Sequence, residues 1–404
     1  MADVPAFATG VQGVDGVWPP LPKAWSYSSL RAAEECPRRW ALSRATYAGL
    51  WTRPGYPPRP ILPALVGDVM HRVLELILMG LHDRACRSLV DPCAVEVLRS
   101  LGGYTALTTR VIEEHIAPLE ANPRVADRVA GIRSALLLQV PAIRQRVQAI
   151  LTRTDLRYAS HAEHGSDDTH RRSLMEGSNP EVELRAPELK FAGRADLITI
   201  DETGCSITDY KTGAPDPHHA DQIRAYSLLW SRDAEVNPEN IPVRRLLLSY
   251  ATHDERIGPP TDAELGALAR QLLERIAKVE GQLRFRPPAA RPALSMCRLC
   301  SVRHLCEEYW SGPAASALGS PTLDFVDCEV IIVSRNGPRS WIVETDAQPR
   351  SALLRTPTET PGFAPGDKVR LLDLAQAQDD DTSRFTLTMT QASEVYKLRQ
   401  QGAS

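Results

Sequence analysis

An α/β fold is predicted for this chain: a mixed sheet flanked by helices, followed by a small C-terminal β-barrel-like module. Three observations point to it. Apolar, β-branched stretches between Glu181 and Tyr250 alternate with helical stretches at about 218–232 and 261–283. A nearly strand-free helical region covers about 92–152. A small-residue stretch at 311–322 then separates this body from a tail of short strands. With 404 residues the chain is longer than a usual single domain. The expected partition is a loose leader over 1–24, a main domain over 25–310, a linker over 311–322 and a small β domain over 323–404.

The elements follow in order. Tyr27-Ser28-Ser29-Leu30 opens an Ala/Glu/Arg-rich stretch in which a serine caps the helix that delivers Cys36 and Trp40. Prolines between Pro54 and Pro63 break the chain, and a helix runs from about Leu65 to His82 with Val69, Val73, Leu76 and Ile77 as its apolar stripe. His71 and Glu75, four apart, share one side of it. The histidine-containing stretch at 160–180 reads as an exposed loop, its irregular spacing fitting solvent better than a metal. In the tail, Cys328–Val333 and Trp341–Glu344 bracket an Asn336-Gly337 turn, and Lys368–Leu374 and Arg384–Thr390 supply further strands.

A formal net charge of -3, with 24% charged residues, argues against a surface coated with positive charge for nucleic acid, so any such contact must be local. The pairs Arg38-Arg39, Arg144/Arg146 and Arg244-Arg245 are solvated faces before they are phosphate tracks. No basic start with an apolar run marks a secretion signal, and no apolar run is long enough for a membrane span, so a cytoplasmic protein without membrane contact is expected. Eight cysteines in that compartment point to metal or cluster binding rather than to disulfides.

Gly193–Ile200 and Cys205–Lys211 are joined by Asp201-Glu202-Thr203-Gly204, a turn-forming sequence. Centring the turn between Glu202 and Thr203 places Asp196 opposite Asp209, Ile198 opposite Ile207 and Arg194 opposite Lys211, all on one face. Two carboxylates opposed at roughly 5 Å between β-carbons repel and call for a positive charge between them. A hard cation, Mg²⁺ or Mn²⁺, prefers oxygen ligands and keeps waters. Lys211, on the same face, can then hold the attacking water or steady charge growing on a phosphate. Gln222 and Tyr226, four apart on the next helix, can present a polar face to the site, and Glu183 can add a carboxylate. Alone, the short string Asp-x-Lys also fits a surface hairpin with scattered charges.

Cys297, Cys300 and Cys306 lack one partner for a tetrad, and Cys36 supplies it from 261 positions upstream. Four thiolates hold either Zn²⁺ or an iron–sulfur cluster, and spacing alone does not separate them. Either would close the chain into a ring, worth roughly 5 to 6 kcal/mol on the chain-entropy model for a crosslink. Cys86, Cys93, Cys205 and Cys328 read as buried, unliganded cysteines.

Taken together, Cys36-Pro37-Arg38-Arg39-Trp40, Gly67-x-x-x-His71, Gly193-Arg194-Ala195-Asp196, Asp209-Tyr210-Lys211-Thr212-Gly213, Gln222-x-x-x-Tyr226 and the cysteine triplet form a pattern. From about Tyr27 to Trp310 the chain resembles RecB-like nucleases of the PD-(D/E)XK superfamily, in the iron–sulfur branch that includes the AddB nuclease domain and CRISPR-associated exonucleases. The resemblance implies a restriction-endonuclease-like core. It implies that Asp196 and Asp209 bind the catalytic metal with His71 and the Tyr210 carbonyl, that Lys211 is the catalytic lysine, and that Gln222 and Tyr226 orient it. It also implies a structural [4Fe-4S] cluster on Cys36, Cys297, Cys300 and Cys306. The long helical stretch and loop between His71 and Glu183, and the β module after residue 322, depart from minimal members.

The expected activity is metal-dependent hydrolysis of DNA, single-stranded or end-frayed, in repair, recombination or antiphage defence. The alternative is a catalytically silent DNA-binding or scaffold subunit of a helicase-containing complex, which the intact Asp196, Asp209 and Lys211 argue against. A lesser alternative is a zinc-stapled protein with an incidental hairpin. With no GxxxxGK[ST] phosphate loop in the chain, a helicase or other motor would be supplied in trans. The β module suggests an OB-like or SH3-like barrel for single strands or a partner.

Overall fold

The structure is a computed structural model that describes residues 6–86, 88–157, 173–312, 325–345, 348–378 and 385–399. The expected loop lies outside the described residues over 160–172, as does the expected linker over 313–322. In chain order the elements are β1 (Ala6–Ala8), β2 (Asp15–Val17), α1 (Tyr27–Glu35), α2 (Pro37–Arg44), α3 (Leu62–Asp83), α4 (Pro92–Ser100), α5 (Gly103–Glu120), α6 (Val129–Leu137) and α7 (Val140–Arg153). Then come β3 (Gly177–Ala186), β4 (Phe191–Asp201), β5 (Gly204–Lys211), α8 (Pro217–Arg232), β6 (Val243–Tyr250), β7 (Asp254–Ile257) and α9 (Asp262–Leu283). The short α10 (Leu294–Cys297) and α11 (Glu307–Trp310) precede β8 (Phe325–Gly337), β9 (Ser340–Thr345), β10 (Gln348–Arg355), β11 (Lys368–Gln378), β12 (Phe385–Thr388) and β13 (Glu394–Lys397).

Two compact units emerge. One comprises Pro22–Arg31 and Arg59–Gly281. Its sheet runs β3-β4-β5-β6-β7, with β5 and β6 parallel and the other pairs antiparallel. Parallel neighbours cannot be joined by a hairpin, and α8 makes the crossover between them. The buried side of α3 carries Val69, Met70, Val73, Leu74, Ile77, Leu78 and Leu81. At roughly 1.5–3 kcal/mol for each fully buried large apolar side chain, packing rather than helix propensity holds it. These residues join α5 and α7 in one core that reaches the sheet through Leu197 and Tyr210.

The second unit comprises Met1–Leu21, Ala32–Pro58 and Gln282–Ser404. The cysteine-bearing segment thus falls with the β module, where the expected partition grouped it with residues 25–310. Ion pairs of two buried arginines account for it. Arg303, between Cys300 and Cys306, reaches Asp327 of β8 at 2.5 Å and Asp373 of β11 at 2.9 Å. Arg370 of β11 binds Glu307 at 2.7 Å, Glu329 at 3.0 Å and the His304 carbonyl at 2.7 Å. Tyr309 donates to Asp327 at 2.8 Å. Breaking any buried pair strands a charge at a cost of several kcal/mol, so the segment and the sheet are held as one body.

Within that unit the strands are ordered β12-β10-β9-β8-β11-β13, and β12 pairs with β11 as well as with β10. Only β10–β12 is parallel. Strands β10 and β13 are additions to the sequence reading. Residues 6–17, expected to be loose, instead contain the β1–β2 pair, with Val11, Val14 and Trp18 buried nearby. Each strand is only three residues long and the second, Asp15-Gly16-Val17, is not apolar, so neither leaves a strand signal. The expected loop also ends early, since β3 begins at Gly177. Among the described residues no helix is long and apolar enough to cross a membrane.

Candidate active site

The hairpin turn forms where the sequence placed it, with Asp201 accepting the Thr203 N–H at 2.8 Å. Leu197 faces Thr208 and Ile198 faces Ile207, which is the expected register. The ladder then stops one residue short of Asp196 and Asp209. Beyond that point Asp196 Oδ2 accepts the Tyr210 N–H at 2.6 Å. The opening is where two like charges would otherwise have been forced together, and the freed backbone donor is used to hold one of them. Past this point Lys211 has its ladder partner on the other side, at Tyr250 of β6, rather than at Arg194.

Lys211 Nζ stands 2.5 Å from Asp209 Oδ2 and donates to Gln222 Oε1 at 2.9 Å, and Gln222 Nε2 donates to the Tyr226 hydroxyl at 2.7 Å. The four residues thus form one chain from β5 to α8. Asp209 is buried, and its Oδ2 receives no properly directed hydrogen bond despite the nearby ammonium. Asp196 keeps some accessible surface, yet its enclosure by protein, followed by the Asp209 charge, pushes its pKa well above the usual carboxylate range. His71 on α3 is the neighbour from the other side. Burial lowers its pKa, the Asp209 charge opposes that, and its ring hydrogen-bonds to the Tyr210 backbone.

Two glycines make these approaches possible. A β-carbon on Gly193 would lie 2.7 Å from Tyr226 Cε1, and one on Gly67 would lie 2.8 Å from Thr212 Oγ1. The first lets the Tyr226 ring sit on β4 three residues from Asp196. The second brings the start of α3 against the residue after Lys211.

Glu183, expected to add a carboxylate, lies on β3 opposite Arg194. It is bound by Arg185 at 2.7 and 3.0 Å on an exposed part of β3. Glu181 is the residue whose charge acts on Asp196 and Tyr226. It lies between Pro180, paired with Leu197, and Val182, paired with Ala195, and its φ is 54°. The register is unbroken across this left-handed residue, so Glu181 lies opposite Asp196 while Glu183 lies two residues further along, opposite Arg194. Asn179-Pro180, a turn-favouring pair inside a strand, was the available signal.

These donors fit a divalent cation: a buried carboxylate whose Oδ2 is ion-paired with Lys211 but receives no directed hydrogen bond, a second carboxylate whose charge is penalised by its surroundings, and an imidazole kept neutral by burial. Among the described residues no three His, Cys, Asp or Glu side chains are already drawn in to ligating positions.

Cys36, Cys297, Cys300 and Cys306 line one small cavity in the second unit. Cys36 sits at the N-cap of α2, its sulfur accepting the Arg39 N–H at 3.4 Å, and Pro37 begins the helix. Burial raises the Cys300 thiol to about 11 and the Cys306 thiol to about 12, while Arg39 and Arg38 respectively oppose the rise. Four soft donors beside arginines suit a thiolate-bound cation centre of either kind, which would draw the sulfurs in. Elsewhere, Cys205 and Cys328 are free and buried, as expected. Cys86 and Cys93 are not unliganded, since they form a disulfide. Their separation of 7 spans the tight connection from α3 to α4, which brings the two sulfurs together.

The chain belongs to the PD-(D/E)XK nuclease superfamily, whose family model matches residues 24–307. Nucleases of this superfamily usually use divalent metals such as Mg²⁺. No curated protein matches the sequence. Among solved structures, a crystal structure of SSO0001 shares 21% identity over 32% of this chain and 59% of that one, with a TM-score of 0.20. This chain therefore spans less than two thirds of that protein. A murine DNA-binding protein bound with double-stranded DNA shares 9% identity over 56% and 96% of the two chains, at a TM-score of 0.17. The p204 HINb domain shares 11% over 57% and 100%, at 0.18.

Proposed function

We propose that the protein is a RecB-like, AddB-like deoxyribonuclease that hydrolyses phosphodiester bonds of single-stranded or end-frayed DNA, in repair, recombination or antiphage defence. The observation that carries this reading is the chain Asp209–Lys211–Gln222–Tyr226 beside the Asp196 carboxylate. Asp196, Asp209, His71 and the Tyr210 carbonyl would hold Mg²⁺ or Mn²⁺, which when bound supplies Lewis-acid stabilisation of phosphate charge. Gln222 fixes the Lys211 ammonium, and Lys211 donates to the incoming water or to the phosphate oxygen on which charge grows. Glu181 adds a negative charge on the Asp196 side of the site.

Cys36, Cys297, Cys300 and Cys306 would hold a [4Fe-4S] cluster as a staple. The five strands β8, β9, β10, β12 and β11 form a closed cycle of pairings, which favours an OB-like barrel over an SH3-like one and suits single-strand binding. A helicase or other motor would come from a partner chain.

The test is digestion of 5′- and 3′-blocked oligonucleotides by anaerobically purified protein, with and without Mg²⁺ or Mn²⁺. Metal-dependent cutting that Lys211→Ala removes is expected. Iron content and visible charge-transfer absorbance distinguish a cluster from zinc. Metal-independent cutting, or none with any DNA substrate, overturns the reading.

A further inference from the structure

On the face of the sheet turned away from Asp209 and Lys211, strands β4 to β7 and the end of α7 enclose a cavity of about 310 Å³, all within one compact unit. The period of two along β5 places Ser206 and Thr208 there, between the side chains of Ile207 and Asp209 that point the other way. Strand register sets the lining in two rows. Thr199, Ser206 and Arg245 are neighbours across β4, β5 and β6. Leu197, Thr208, Leu247 and Arg256 are neighbours across β4 to β7. A sheet face meant for helix packing would be apolar in both rows, as it is where Leu197 meets the α3 core. Here Leu197 and Leu247 are interspersed with hydroxyls and guanidinium groups.

The charges in the cavity do not cancel. Arg153 is taken up by Asp254 at 3.1 Å and by the Tyr250 carbonyl, and Asp254 also accepts from Ser249 at 2.7 Å. Asp155 is paired with Arg157 at 3.3 Å. Arg245 reaches only the Ser206 hydroxyl, at 3.3 Å, and among the described residues neither Arg245 nor Arg256 is in an ion pair. Two arginine forks over a floor of hydroxyl donors match a phosphate, which accepts bidentate hydrogen bonds and carries the compensating charge. The volume is at the lower end of small-molecule pockets, which run from about 300 Å³ upward, and suits one nucleotide rather than a duplex.

We propose that this cavity is a second nucleotide site, separate from the catalytic centre, that binds the phosphate of a mononucleotide or of a strand's terminal nucleotide through Arg245, Arg256, Ser206 and Thr208. The site does not require that the protein cut DNA, so its test stands apart from the catalytic reading.

The experiment uses the full chain carrying Asp209→Asn, so that no probe is cut. Fluorescence polarisation compares a short 5′-phosphorylated, 3′-labelled single strand with its 5′-hydroxyl counterpart, with deoxythymidine monophosphate as competitor. Arg245→Glu and Arg256→Glu should each weaken binding of the phosphorylated strand about tenfold while changing the hydroxyl strand by no more than about twofold. Competition by the monophosphate assigns the cavity to free nucleotides as well, and a phosphate effect without competition assigns it to strand ends; both uphold phosphate recognition. Equal affinity for the two strands, or binding indifferent to the substitutions, overturns it. Arg256 is exposed, so Arg256→Ala keeps the test open should Arg245→Glu fail to fold.

Discussion

Asp196 and Tyr210 are joined by a hydrogen bond of 2.6 Å from the Tyr210 N–H to the Asp196 carboxylate, at the point where the β4–β5 ladder ends. One strand's side chain thus replaces a strand–strand bond and sets Asp196 beside Asp209 without direct pairing. Lys211 then lies within an ångström-scale reach of the second carboxylate, at 2.5 Å.

Removing charge from this pair should stop the chemistry while sparing the fold. Asp209→Asn and Lys211→Ala are each expected to lower kcat by about a thousandfold, or about 4 kcal/mol of transition-state stabilisation, with unchanged circular dichroism. Steady-state cleavage of a labelled single strand measures it, and undiminished cutting by either variant would refute the assigned roles.

The two neighbouring glutamates should behave differently. Glu181→Gln is expected to lower cleavage by about tenfold or more, because the charge bordering Asp196 changes. Glu183→Gln breaks an exposed pair with Arg185 and should move activity by less than about twofold. The reverse ranking would return the role to Glu183.

Without metal, Asp196 should make stability depend on pH in an unusual direction. Its folded pKa lies above the unfolded value of about 4, so its contribution is present below the unfolded pKa and is lost as pH rises through the folded one. In EDTA the melting temperature should therefore fall over that window, and Asp196→Asn should flatten the fall. Mn²⁺ at a hundred times its Kd should restore about 2.7 kcal/mol. A wild-type and Asp196→Asn pair with identical pH profiles in EDTA would exclude this account.

Arg303 should matter to the β module as much as to the cysteines beside it. Arg303→Ala leaves Asp327 buried without its cation, for an expected loss of about 3–5 kcal/mol in chemical denaturation. If only the cysteine segment loosened, with hydrogen exchange in β8 and β11 unaltered, the two would not be one folding body.

Much of the site was readable because it is local. The Asp201–Gly204 turn sets register, period two sets which residues share a face, and a separation of four on α8 aligns Gln222 with Tyr226, so Asp209, Lys211 and their partners needed no knowledge of the rest of the chain. The same holds for β6, found at Val243–Tyr250, and for α8 and α9, found within a residue of their expected ends.

What the sequence determined by itself was therefore the set of chemically matched residues within each short element and the approximate order of helices and strands. Tertiary structure decided the rest. It opened the ladder at Asp196, set the charge of Glu181 rather than that of Glu183 beside it, joined Cys86 to Cys93, and tied the cysteine segment to the β module through Arg303 and Arg370. Each of these depends on side-chain contacts between different segments of the chain, and such contacts leave no periodic trace in the order of amino acids.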